Sequence, residues 1–398
     1  MGVRESPREI EETMNNKERV YAAFDGKRVD RPPVTSIYNF LYHQDHFSEL
    51  TGLPHWRMHE WLANSPDKHA DLFLQLHRQA PFELLQPQQA ASRVWRERQE
   101  FIERDGKAWR HDRLTGEQTR IDVPAVSGHA SDGQANEIRR VFTREDIRSQ
   151  VKVYSADSRL AEGANDYLDA IVARYGSEEF ILSGGVVGTF YSCHGHVGLT
   201  NLFALLIEEP SLIEELSRRI LDQNIEEIRR LAMGIGDAIY IDDATATSDM
   251  ISVQHYERFS LPYMQAMVKE IQRLGHKAIL IYFGGIADRL QQISSLGADG
   301  IVFEASMKGF TNDVADITAK IGGRITVFGN VDPVRTLQDA DDAALEKEIR
   351  RQVEAGRPGR GFILSTASPI TPRTPLRRVQ RYIALGIKSG RSALRDKS

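Results

Sequence analysis

The sequence has a single cysteine, Cys193, in 398 residues. One thiol cannot form an internal disulfide, so nothing in the chain calls for an oxidising compartment. It also excludes a zinc site built from several cysteines of one chain. Long apolar runs are missing as well: no stretch approaches the ~20 residues that a membrane-spanning helix needs. The first twenty residues are too charged for a signal peptide. Excess positive charge is lacking too. The formal charge is -5, and nonspecific nucleic-acid binding needs a basic footprint. These absences lead us to expect a cytoplasmic protein that binds neither membrane nor nucleic acid.

What is present is ordinary for a globular enzyme: 41% hydrophobic and 27% charged residues. The length suits one large barrel with additions, or two average domains. Residues 1–13 read as a tail. Asn15-Asn16-Lys17-Glu18 opens a helix that runs to Phe24 and stops at Gly26. Asp30-Arg31-Pro32-Pro33 is a turn, because a proline drives its predecessor out of helical geometry. Residues 34–38 are β-branched and alternating, which predicts a first strand. Segment 90–150 differs from its surroundings. Strand-like pieces at 93–98 and 108–113, with Asp105-Gly106 and Thr115-Gly116 as turn signals, predict an inserted β-hairpin region.

From about residue 155, helices alternate with short apolar strands. Helices are expected at 157–175, 198–206, 210–232, 253–274, 286–296, 311–321, 341–355 and 375–388. Strands are expected at 180–183, 238–241, 277–282, 300–303, 325–328 and 361–365. Such alternation implies parallel strands with right-handed crossovers. With 34–38 and a weaker strand near 82–86 the count reaches eight, which predicts an α/β fold, a (β/α)8 TIM barrel with an inserted β-hairpin region. An open doubly wound sheet is the alternative. Residues 1–398 then make one barrel domain, with 1–13 as tail and 90–150 as insertion.

Several short motifs, in order, carry a resemblance. Asn16-Lys17-Glu18-Arg19-Val20 is followed by Asp25-Gly26 and Asp30-Arg31-Pro32-Pro33-Val34. Gly236-Asp237-Ala238 leads to Asp242-Asp243, then come Leu261-Pro262-Tyr263, Gly297-Ala298-Asp299-Gly300 and Phe328-Gly329-Asn330-Val331-Asp332-Pro333. Gly361-Phe362-Ile363-Leu364-Ser365 and Thr371-Pro372-Arg373-Thr374-Pro375 close the series. Together they resemble the uroporphyrinogen decarboxylase superfamily. The resemblance implies a barrel with its chemistry at the C-terminal mouth. One branch of that superfamily decarboxylates uroporphyrinogen without a cofactor, and another moves methyl groups among corrinoid proteins, thiols and other acceptors with zinc.

The chain departs from both branches. Where the methyltransferases place their zinc ligands it has Ile281, Phe283 and Ser368, so zinc at the family site is not expected. Where the decarboxylases carry an arginine-rich segment for substrate carboxylates it reads Ser36-Ile37-Tyr38-Asn39-Phe40-Leu41-Tyr42-His43, without arginine.

Candidate site residues follow from position at strand ends. Asp242 and Asp243 point to opposite faces of a strand, so one acid should look into the mouth, where burial raises its pKa and lets it act as a general acid or hold a cation. The plainer reading is a helix N-cap. The segment Tyr191-Ser192-Cys193-His194-Gly195-His196 reads as a loop rich in titratable groups, with His194 and Tyr191 joining the two acids as catalytic candidates; it could equally be a turn capping the next helix. Cys193 is more plainly a small buried residue than a nucleophile. Tyr38, Asn39, His43, His196, Tyr282, Glu304, Asn330 and Ser368 are the candidate substrate contacts. His43 and His46 with the 194/196 pair could form a nonstandard metal site, although no metal ligand is assigned. Ser365 could orient a ligand through its hydroxyl, and Asp332-Pro333 reads as a turn former. Gly184-Gly185-Val186-Val187-Gly188 reads as a loop letting backbone approach the substrate; it lacks the lysine of a P-loop.

By resemblance, the first expectation is a methyltransferase or demethylase. It would act between a small substrate and a corrinoid or tetrahydrofolate acceptor, with a corrinoid protein as possible partner and a homodimer as assembly. The alternatives are a cofactor-free decarboxylase of a small aromatic or pyrrolic acid, and a non-catalytic barrel that binds a tetrapyrrole or folate.

Overall fold

In the computed structural model, which describes residues 14–121, 141 and 143–395, the strands in chain order are β1 (Leu84–Leu85), β2 (Gln99–Arg104), β3 (Lys107–Asp112), β4 (Gln118–Ile121), β5 (Phe180–Val187), β6 (Ala238–Asp242), β7 (Lys277–Tyr282), β8 (Gly300–Phe303), β9 (Thr326–Phe328) and β10 (Phe362–Ile363). The expected tail 1–13 and part of the insertion lie outside the described residues. Seven strands pair in parallel in the order β1-β5-β6-β7-β8-β9-β10, with helices on the outside between them. The gap between β10 and β1 is bridged by residues 33–35. The Thr35 amide donates to Leu364 O (2.8 Å), the Leu364 amide to Pro33 O (2.9 Å) and the Glu83 amide to Val34 O (3.0 Å). The sheet therefore curls into a TIM-barrel-like tube, as the alternation of elements predicts.

The expected strand at 34–38 shrinks to one bridging residue, Val34. Pro32 and Pro33 have no amide to donate, and Tyr38 already turns into left-handed backbone at φ 55. Glu83 compensates: its carboxylate accepts from the Val34 amide at 2.8 Å and from Arg31 at 2.6 Å. Arg19 reaches the same carboxylate.

Side chains alternate along the strands, as the two-residue period of a pleated strand requires. Ile279 and Ile281 of β7 point into the tube with Leu182, Ala238, Val302 and Phe328. Ala278, Leu280 and Tyr282 point out into the layer beneath the helices. The helix Asn16–Phe24, opened by a capping box at Asn15 and Glu18, lays Val20, Ala23 and Phe24 across the N-terminal end. Phe24 contacts Phe180 and Phe328, with ring centroids 5.5 and 6.1 Å away.

Other expectations shift. The glycine-rich segment 184–187 is strand, not loop: β5 runs through it with a register shift between Leu182 and Gly184. Segment 191–196 is helical, inside Thr189–Val197. The long helices expected at 157–175 and 253–274 each break, at Gly163 (φ 87) and Ser260 respectively. Residues 93–98 form a short helix capped by Ser92. The β2–β3 hairpin follows, turning at Asp105 and Gly106, both at positive φ as a type I′ turn demands. No helix among the described residues is long and apolar enough to cross a membrane.

Candidate active site at the barrel mouth

The C-terminal ends of the strands surround a cavity of about 1080 Å³. Tyr38, Phe40, Tyr240 and Phe283 give it aromatic walls, and Asp242, Glu304 and Ser368 are among its polar groups. Tyr240 and Asp242 share the inward face of β6 because they are two residues apart. Beside it on the neighbouring strand β5 only glycine fits: a Cβ on Gly185, the register partner of Tyr240, would sit 2.2 Å from the Tyr240 ring.

Asp242 is the most perturbed acid here. The Tyr38 hydroxyl donates to its Oδ2 at 2.6 Å, and its Oδ1 is buried without a hydrogen-bond partner. Burial pushes this carboxyl up to about 7. The Tyr38 hydroxyl pulls it the other way, the Asp243 charge adds to the rise, and the Ala244 amide offsets it in part. The group thus stands close to half-ionised at neutral pH.

Asp243 turns away. It is fully buried, accepts from the Ser260 hydroxyl, and leaves so little room that a Cβ on Gly188 would come within 2.5 Å of its Oδ1. Burial raises it to about 6, against the pull of Ser260, the Tyr191 amide and Arg289. Of the two acids, Asp242 is the one that lines the cavity.

Across the mouth, Glu304 is buried at the end of β8 and accepts from the Ala305 amide at 2.8 Å. Burial raises its carboxyl too, opposed by that amide and by the Ser368 hydroxyl. Asp332 caps the following helical turn by accepting from the Val334 and Arg335 amides at 2.9 and 2.7 Å, as its turn-forming sequence suggests. It also binds the Arg335 guanidinium at 2.6 Å.

The other candidates separate into groups. Tyr191 lines the mouth, and its ring stacks on His194 at 4.7 Å. His194 and His196 themselves line a second cavity of about 740 Å³ beside the end of β5, with Asn224 and Glu227. Tyr191 and Val187 are shared by both cavities. Asn39 donates to Leu84 O at 2.7 Å and Asn330 to Asn312 O at 2.9 Å, so both hold backbone together behind the wall. His43 is buried edge-on against Phe73. Burial lowers it to about 3, with His77 and His46 adding to the effect. Tyr282 points outward and meets the Tyr256 hydroxyl at 2.9 Å. Ser365 is fully buried. Cys193 is also fully buried beside Ser217, and burial pushes its thiol up to about 12.

Three aromatic wall residues escape a reading of strand ends alone: Phe40, in the helix after Tyr38, and two in or next to strands. Tyr240 lies inside β6 and Phe283 just beyond β7; a count of two from Asp242 and from Ile281 respectively would have placed both inward.

The three positions at which the resemblance puts zinc ligands do not fit the metal. Ile281 packs inside the tube, Phe283 is a wall of the cavity, and Ser368 sits beside Glu304. Among the described residues, no three His, Cys, Asp or Glu side chains converge as a metal cluster.

The uroporphyrinogen decarboxylase (URO-D) family profile matches residues 134–386. The chain belongs to that family. Among URO-D relatives, the methylcobamide:CoM methyltransferase MtbA of Methanosarcina mazei is 24% identical over 239 residues, 60% of this chain and 67% of that protein. A uroporphyrinogen decarboxylase of Tolumonas auensis is 25% identical over 182 residues, 45% of this chain and 49% of the relative, about half its length. A solved methyltransferase structure from Methanosarcina mazei superposes with a TM-score of 0.66 at 19% identity, covering 94% of this chain and 99% of the other. That likeness bears on the fold.

Proposed function

We propose that the protein is an enzyme that moves a methyl group, at the mouth of its barrel, between a small substrate and a corrinoid or tetrahydrofolate acceptor. The observation that carries this reading is Asp242: a carboxyl at about 7, bonded by Tyr38, on the wall of a large aromatic cavity. The acceptor, when bound, supplies the centre that takes the methyl group. The chain's own residues do the rest. When a methyl group leaves a heteroatom, the electron pair of the broken bond stays on that atom. Asp242 can answer either by giving a proton to an oxygen or by balancing positive charge on the departing group. The aromatic walls exclude water and offer a flat apolar face to a planar acceptor. No step passes through zinc.

The similarity to a methylcobamide:CoM methyltransferase supports methyl chemistry, and the similarity to decarboxylases supports the rival reading. The lining favours the first for any polyacid substrate. Asp242, Glu304 and Asp332 would repel one, and the Arg335 guanidinium is already held by Asp332.

The test is to incubate the purified protein with methylated substrates, with and without reduced cobalamin or tetrahydrofolate, and to follow methyl loss together with CO₂ release. Acceptor-dependent methyl loss is expected. Release of CO₂ from a small acid with no acceptor present would replace this reading with decarboxylation.

A further inference from the structure

We propose that the mouth is built to hold a quaternary ammonium group, so that the methyl donor is a methylated cation. This rests on the methyl-transfer reading and names its substrate class. Three observations converge on it.

The first is the arrangement of rings. Tyr38 and Tyr240 meet nearly at right angles, 84° apart with centroids at 5.5 Å. Phe283 lies 6.0 Å and Phe40 5.9 Å from Tyr38. All four line the cavity. Electron-rich ring faces set around a corner attract a bulky cation that no hydrogen bond could hold.

The second is the carboxylate at that corner. Asp242 spends one oxygen on Tyr38 and has no hydrogen-bond partner for the other. A buried oxygen with no donor is costly, and a positive charge in the cavity would offset the cost.

The third is the balance of charge around it. The groups facing Asp242 are Tyr38, Tyr240 and Tyr191, with Asp243 behind it through the backbone. Across the cavity stand Glu304, Asp332, Arg335 and Lys308. Arg335 is bound by Asp332 and by Ser306 O, both at 2.6 Å, and Lys308 is exposed at the rim. The nearest free charge to a ligand held by the rings is therefore negative.

A quaternary donor also fits the missing metal ligands. The C–N bond breaks, its electron pair stays on nitrogen, and the methyl group passes to the nucleophilic acceptor. The amine leaves neutral, so the step consumes no proton and needs no Lewis acid at the leaving group.

The experiment is calorimetric titration with choline and with 3,3-dimethylbutan-1-ol, its neutral carbon isostere, in buffers of different ionisation enthalpy. Choline should bind at least about tenfold more tightly than the isostere. Its binding should release a proton below pH 7, because the cation selects ionised Asp242. Affinity should therefore be about tenfold higher at pH 8 than at pH 6, a dependence absent in Asp242→Asn and retained in Glu304→Gln. Phe283→Leu should weaken choline and not the isostere, which keeps the test alive if the Asp242 variant fails to fold. Equal binding of the two ligands, no binding of choline, or a pH-independent affinity would each overturn the proposal. Turnover of a neutral methyl ether without choline binding would sink this inference and spare methyl transfer. Choline binding without any methyl transfer would do the reverse.

Discussion

Two neighbouring acids on one strand meet different fates because adjacent side chains leave a strand on opposite faces. Asp242 enters the cavity and Asp243 enters the packing behind it. Both are raised by burial, to about 7 and about 6. A raised carboxyl stabilises the fold while protonated, and that contribution is lost as pH rises through its folded value. Asp242→Asn should therefore melt higher than wild type at pH 8, and the gap should narrow steadily as pH falls from 7 towards 4, as thermal scans across that range would show. The same variant should lose at least about 10²-fold in the rate of the proposed methyl transfer. Gly188→Ala drives a methyl into the Asp243 carboxylate, and should cost about 1–3 kcal/mol in denaturant melts. That one acid of the pair would look inward was legible from the strand period. Which one depends on the phase of β6: Ile239 and Ile241, buried under the helices, put Asp242 inward. Asn39, Asn330 and Tyr282 sat at plausible strand ends, and only their bonds to Leu84 O, Asn312 O and the Tyr256 hydroxyl show where they point.

Strands and helices were legible wherever apolar residues alternated with amphipathic stretches, as in β6 to β9. They failed where other forces set the backbone. Thr189–Val197 hides its helix because Gly195 and two histidines mask the stripe of Phe190, Cys193 and Val197 on its buried side. The first barrel segment is reduced to Val34 because its prolines cannot donate, and Glu83 takes over the lost bonding. That carboxylate answers Arg19, Arg31 and the Val34 amide from a buried position. Glu83→Ala strands the buried Arg31 guanidinium, while Arg19 keeps its pair with Asp30, so a loss of about 3–5 kcal/mol is expected in urea unfolding. Glu83→Gln should lose less, because it still accepts one bond.

At the scale of the molecule, the fold followed from counting strands, whereas the chemistry depends on which residues occupy family positions. Ile281, Phe283 and Ser368 cannot hold zinc, so prolonged treatment with a strong chelator should leave the rate of the proposed methyl transfer unchanged. A rate that fell on chelation and returned with added zinc would show a metal site elsewhere in the protein.

The plug at the foot of the tube has a consequence for traffic. With Phe24 wedged against Phe180 and Phe328, the vessel has a floor, and every molecule using it must come and go by the same doorway. A broad acceptor seated there would shut in whatever lies beneath. In the proposed reaction the small donor must then board first and the demethylated product disembark last. Initial-rate studies varying both reactants should show that compulsory sequence, and random arrival would mean a side exit through the wall.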